Sequence, residues 1–176
     1  GGGKGESGGS AAGAGNIPLT SPAQGFDGGR YGGGGAGGLS TDEGPDDNPD
    51  RPGLGRGGPG VALDISGAYE FYAAGGGGGG AKAGVGGEGH GVSPAQGANP
   101  FKPAEPGRDG YGEGGGGGFH QPTNTASAQA GQKGGNGVVI IKSVGAALST
   151  TGDPVTTRHP DGSYVYKFLN DGTVTF

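Results

Sequence analysis

The sequence predicts a mostly irregular, β-containing fold: a bundle of polyglycine-II-type helices with inserted loops, followed by a small antiparallel β module, with essentially no α-helix. Three observations predict it. Six glycine-dense runs recur, roughly at residues 1–15, 28–38, 53–60, 75–91, 107–118 and 131–137. Between them sit insertions rich in Pro, Asp, Asn, Ser and aromatic residues. After the last run the composition turns abruptly to Val138-Val139-Ile140-Ile141. The predicted boundaries are a glycine-rich unit at 1–137 and a β module at 138–176.

The glycine runs define the first unit by elimination. Gly and Pro together make up about 37% of the 176 residues, a level at which disorder is the default expectation. Hydrophobic residues are 28%, and Trp, Met and Cys are absent, so a conventional apolar core is out of reach. Collagen needs Gly at every third position, whereas Gly75 to Gly80 is unbroken. The ordered alternative is a set of extended left-handed helices with three residues per turn and no internal hydrogen bonds. Their outward N–H and C=O groups must then bond to neighbouring helices, and only glycine lets backbones approach closely enough.

The insertions follow in order. The first, Asn16 to Phe26, contains Ser21-Pro22-Ala23-Gln24-Gly25, repeated as Ser93-Pro94-Ala95-Gln96-Gly97 beyond a later run, and each copy reads as a turn. The second, Thr41 to Pro52, is the most polar, with five acidic residues in twelve. The third, Val61 to Ala74, alternates Val61, Leu63 and Ile65, then Tyr69 and Phe71, and reads as short strands broken at Ser66-Gly67. The fourth, Val92 to Pro106, and the fifth, Phe119 to Ala130, carry no helical period and are expected to be loops. In the β module, Val138 to Lys142 is a strand by β-branching and Ser163 to Leu169 a strand by alternation. Asp161-Gly162 marks a turn, and Asn170-Asp171-Gly172 predicts a hairpin that returns through Thr173 to Phe176.

The strands and the string Gly-Gly-Asn136-Gly-Val-Val-Ile-Ile-Lys142 resemble the glycine-rich domain of tailed-phage tail fibres and adhesins. Ile65-Ser66-Gly67 followed by Tyr72-Ala73-Ala74 into the next glycine run, and Phe168 through Gly172-Thr173-Val174-Thr175-Phe176, are similar to its strand patterns. The resemblance implies a polyglycine sandwich whose loops recognise a bacterial surface glycan or outer-membrane protein. It also implies a virion setting outside the cell, other fibre or virion subunits as partners, and homo-oligomers, with a trimer favoured. The apolar strand that such domains often place before the first run has no counterpart here. The chain opens inside a glycine run, which reads as a fragment or processed product.

Candidate recognition residues lie in the loops. Asp46, Asp47, Asn48, Asp50 and Arg51 offer directional donors and acceptors to a glycan. The same loop has enough oxygen ligands for Ca²⁺, but not EF-hand spacing, and a solvated acidic loop is the simpler reading. Phe101, Lys102, Tyr111, Phe119 and His120 pair aromatic faces with polar edges, which suits sugar stacking; the competing reading is that these aromatics cap the glycine layers. Net charge is −5 and no basic stripe exists, which argues against nucleic acid. No stretch approaches a membrane span. Gly5-Glu6-Ser7-Gly8-Gly9 matches a nucleophile-elbow string without its strand and helix, and the three His are too scattered for zinc. The expectation is a non-enzymatic binding protein with no cofactor. The alternatives are a purely structural fibre protein and a disordered matrix protein.

Overall fold

The computed structural model describes residues 13–29, 32–40, 55–79, 103–121 and 124–176. Among these residues there is no α-helix. Nine short strands are linked by extended glycine segments: β1 (Val61–Leu63), β2 (Glu70–Tyr72), β3 (Phe119–Gln121), β4 (Asn124–Gln129), β5 (Val139–Ser143), β6 (Ser149–Thr151), β7 (Val155–Arg158), β8 (Tyr164–Phe168) and β9 (Thr173–Thr175).

The glycine segments form the predicted bundle, and run 73–79 lies at its centre. Its hydrogen bonds rotate among three neighbours with a period of three residues. The carbonyls of Ala73 and Gly76 accept from Ala36 and Gly33. Those of Ala74 and Gly77 accept from Gly114 and Gly117, and the amides of Gly75 and Gly78 donate to Gly58 and Gly55. A β-strand bonds in one plane with two neighbours; three neighbours at threefold spacing is the signature of three residues per turn. Glycine is needed here for proximity. A Cβ at Gly75 would collide with the Gly33 carbonyl, and one at Gly135 with the backbone of Arg108.

Bond order also fixes chain direction. Gly75 pairs with Gly58 and Gly78 with Gly55, so run 73–79 is antiparallel to run 55–60. It is antiparallel to run 32–38 through the Gly33–Gly76 and Ala36–Ala73 bonds, and parallel to run 112–118. Run 131–137 is antiparallel to 112–118 through Gln132–Gly116 and Gly135–Glu113. Run 103–110 runs beside 131–137 in the same direction, through Gly107–Lys133 and Gly110–Asn136. Run 26–29 opposes 32–38 through Phe26–Gly35 and Gly29–Gly32.

The hairpin expected around Ser66-Gly67 is present: β1 and β2 pair antiparallel, Val61 with Tyr72 and Leu63 with Glu70, and Gly67 turns the chain at φ 93°. The fifth insertion departs from its expected loop. β3 and β4 form an irregular antiparallel hairpin in which Phe119 pairs with Gln129 and Gln121 with Asn124. The backbone polar groups of an insertion without an apolar core are satisfied most simply by pairing with each other.

In the C-terminal module, β8 is the central strand of a three-stranded antiparallel sheet, flanked by β5 and β7, and its Val165, Tyr166 and Phe168 are buried. β7 and β8 are joined at Asp161-Gly162, with Gly162 at φ 84°. The predicted β8–β9 hairpin does not form. β9 pairs instead with β6, Thr173 opposite Thr151, so Asn170-Asp171-Gly172 carries the chain from one sheet to another. Gly172 is not at positive φ, which an Asn-Gly-type tight turn requires, and a Cβ there would strike the Thr151 carbonyl and the Phe168 ring.

Candidate functional site

Chain direction sorts the insertions to two ends of the bundle. Runs 26–29, 73–79 and 112–118 point one way; runs 32–38, 55–60, 103–110 and 131–137 point the other. Loop 16–25, residue 39, the β1–β2 hairpin, the Gly110–Gly112 turn and the start of the C-terminal module therefore share one end, the module end. At the opposite end lie the β3–β4 hairpin, both described flanks of segment 80–102, and Gly55, where the chain arrives from segment 41–54.

The module end is held by a polar and aromatic cluster. Tyr111 occupies the tip of the turn between two glycine runs, where Gly110 and Gly112 at φ 77° and 64° both donate to the Asn136 carbonyl at 3.0 Å. Its ring stacks on Tyr72, centroids 5.5 Å apart and 20° from parallel. The Arg108 guanidinium sits 4.3 Å from the Tyr111 centroid, and Lys167 Nζ of β8 sits 4.9 Å from it. Glu70 accepts hydrogen bonds from the hydroxyls of Tyr72 at 2.6 Å, Ser66 at 3.1 Å and Tyr111 at 3.2 Å. The Tyr72 hydroxyl holds the Glu70 carboxyl below its ordinary pKa against the opposing effect of burial, with help from Ser66, Tyr111 and the Lys167 charge. Burial, with the bond to Glu70, pushes Tyr72 up to about 12, and burial with the Glu70 charge raises Tyr111.

Beside this cluster, Arg108 grips the buried Glu113 carboxylate through Nε at 2.9 and 3.0 Å and through Nη2. The backbone N–H of Arg108 donates to the same carboxylate at 3.1 Å. Hydrogen bonding to Glu113 raises the Arg108 pKa, so the pair is ionised across the working pH range. A second tie runs from the β7–β8 turn, where a His159 ring nitrogen lies 3.2 Å from the Ser66 carbonyl oxygen.

Loop 16–25 is organised by one side chain. Asn16, itself at φ 48°, accepts at Oδ1 from the Thr20 hydroxyl at 2.5 Å and from the amides of Thr20 and Gln24 at 3.3 and 3.0 Å. Its Nδ2 donates to the Thr20 carbonyl at 3.1 Å. Ile17 and Leu19 are thereby held out in solvent, 75% and 87% exposed.

The sequence-derived candidates separate accordingly. Tyr111 belongs to the module end, where its ring and hydroxyl are already engaged. Phe119 and His120 lie on β3 at the opposite end. Asp46, Asp47, Asn48, Asp50, Arg51, Phe101 and Lys102, with the second Ser-Pro-Ala-Gln-Gly copy at 93–97, lie outside the described residues. Sequence reasoning did not find Glu70, Arg108 with Glu113, or Lys167 as one cluster; their only linear signal is a few charges beside otherwise uncharged glycine runs. No family model, no curated protein and no solved structure matches this chain.

Proposed function

We propose that this chain is a tail-fibre or adhesin component of a tailed bacteriophage, a non-enzymatic virion protein that meets the host outside the cell. It binds a bacterial surface glycan or outer-membrane protein at the end of the bundle opposite the C-terminal module. The observation that carries the reading is the sorting of insertions by chain direction. Both flanks of 80–102, the β3–β4 hairpin and the arrival of 41–54 at Gly55 converge on one end of a scaffold held by backbone hydrogen bonds. Loops on a rigid frame vary in sequence without cost to the frame, which is what recognition of changing surfaces requires. Asp46, Asp47, Asn48, Asp50, Arg51, Phe101, Lys102, Phe119 and His120 are the proposed contacts. Tyr111 is better supported as part of the frame. Contacts of this kind are individually weak and gain strength from several copies on one fibre, in the threefold arrangement that the sequence resemblance implies.

The test is binding of the labelled chain to a panel of bacterial strains, beside a variant with 41–52 and 82–101 replaced by Gly-Ser. The replacement leaves 103–118 intact, because those residues are scaffold. Saturable binding that disappears in the variant is the expected result. A folded, protease-resistant chain that binds no strain would instead make it a structural fibre protein.

A further inference from the structure

The two ends of the bundle also differ in what they leave uncovered. Every large apolar side chain left exposed among the described side chains lies at the module end or in the module itself, Ile17, Leu19, Leu39 and Tyr69 among them. Scattered single exposures are ordinary on a soluble protein, but their confinement to one end is not. Within the module they form a patch. Val144 is 98% exposed and Leu148 80%; the Leu148 amide donates to the Thr175 carbonyl at 2.7 Å, and Phe176 lies edge-on to Tyr166, whose hydroxyl accepts from Ala147 N.

Charge says what kind of surface fits there. The cations of this end are spent within the chain: Arg108 on Glu113, Lys142 on Asp161, Arg158 over the Tyr164 ring and Lys167 over Tyr111. Asp64, Asp153 and Asp171 are exposed carboxylates without a side-chain partner among the described residues, and each lies within two residues of an exposed Leu or Val. The Asp153 and Asp171 turns adjoin, since a Cβ at Gly152 would strike the Asp171 carbonyl.

We infer that the module end is a docking surface for a different protein that presents a basic, apolar face. A second copy would bring the same uncompensated carboxylates against each other, which costs affinity, whereas Lys or Arg beside apolar side chains would complement both features. The inference holds whether or not the opposite end binds a receptor. It gives the molecule an attachment end and a free end.

The probe is a fluorescent peptide of alternating Lys and Leu, with an alternating Glu and Leu peptide as control, titrated against the full chain by anisotropy. The Lys-Leu peptide is expected to bind saturably and the Glu-Leu peptide not at all. Val144→Ser with Leu148→Ser, and separately Asp153→Asn with Asp171→Asn, should each weaken binding by about tenfold or more. Replacing 41–52, which carries five acidic residues, should leave it unchanged. These positions are exposed, and unchanged circular dichroism verifies that the variants are folded. Absent binding, binding that survives the Val144/Leu148 change, or binding lost with 41–52 would each overturn the inference. So would concentration-dependent dimers in sedimentation that the Val144/Leu148 change abolishes, because a second copy would then be the occupant.

Discussion

Tyr72 and Tyr111, one at the end of a hairpin strand and the other at the tip of a glycine turn, stack at 5.5 Å and donate their hydroxyls to the two oxygens of Glu70. This contact joins the β1–β2 hairpin to the glycine layers, and Lys167 brings the C-terminal module to the same point. Four consequences are open to measurement.

The first concerns pH. The Glu70 carboxyl is depressed below its ordinary value of 4.5, so its contribution to stability is complete above that value and is lost as pH falls through the lower folded value. Tyr72 is raised, so its contribution is present below pH 10 and disappears as pH rises towards about 12. Spectrophotometric titration at the phenolate band should show two of the tyrosines ionising late. Glu70→Gln should bring that phase closer to the others and flatten the acid limb of the stability profile; an unchanged titration would refute the hydrogen-bonded cluster.

Second, Arg108→Ala would leave the buried Glu113 carboxylate without its guanidinium, which should cost about 3 kcal/mol in denaturant unfolding. Replacing both partners by apolar residues of similar size should cost less than the single change. Equal losses would mean that the ion pair contributes no compensation.

Third, the close approach at Gly75 makes Gly75→Ala destabilising by about 1–3 kcal/mol, because the Gly33 carbonyl must move. Gly137→Ala and Gly145→Ala meet nothing within 4 Å and should stay within about 0.5 kcal/mol of the parent. Melting temperatures that fall equally in all three would sink the packing account of the glycine runs.

Fourth, Asn16→Ala removes the acceptor shared by Thr20 and Gln24 and places alanine at φ 48°. Limited proteolysis should cut loop 16–25 several times faster, with little change in global melting temperature. Asn16→Gly relieves the backbone but not the lost bonds, so it should fall between. A cleavage rate equal to the parent's would show that the loop is held by something else.

How far the sequence revealed this arrangement depended on the range of the forces involved. Short-range signals worked: β-branching at Val139–Ile141, alternation across Tyr164–Phe168, and Ser66-Gly67 between two apolar runs each marked what formed. β4 was missed because Asn124–Gln129 is built from small and polar residues with no β-branched or aromatic alternation beyond Thr125. The Asn170-Asp171-Gly172 hairpin failed because a turn's local preference yielded to the Thr151–Thr173 pairing and the close fit of Gly172 against Phe168. Glu70, Arg108, Glu113 and Lys167 meet only after the glycine runs have packed, so no local pattern announces them. Of the candidate contacts, loop position was legible, but only chain direction separated Tyr111 from Phe119 and His120.

Where a segment emerges from this molecule is a matter of parity. Each tight reversal sends the chain back, so the number of crossings already made decides which face the next insertion joins. An insertion can lengthen, shorten or be exchanged and still surface at the same pole. Loss of one glycine crossing, by contrast, would carry every later loop, and the module with them, to the wrong pole. Variation in such a chain is therefore cheap in its loops and prohibitive in its count of runs.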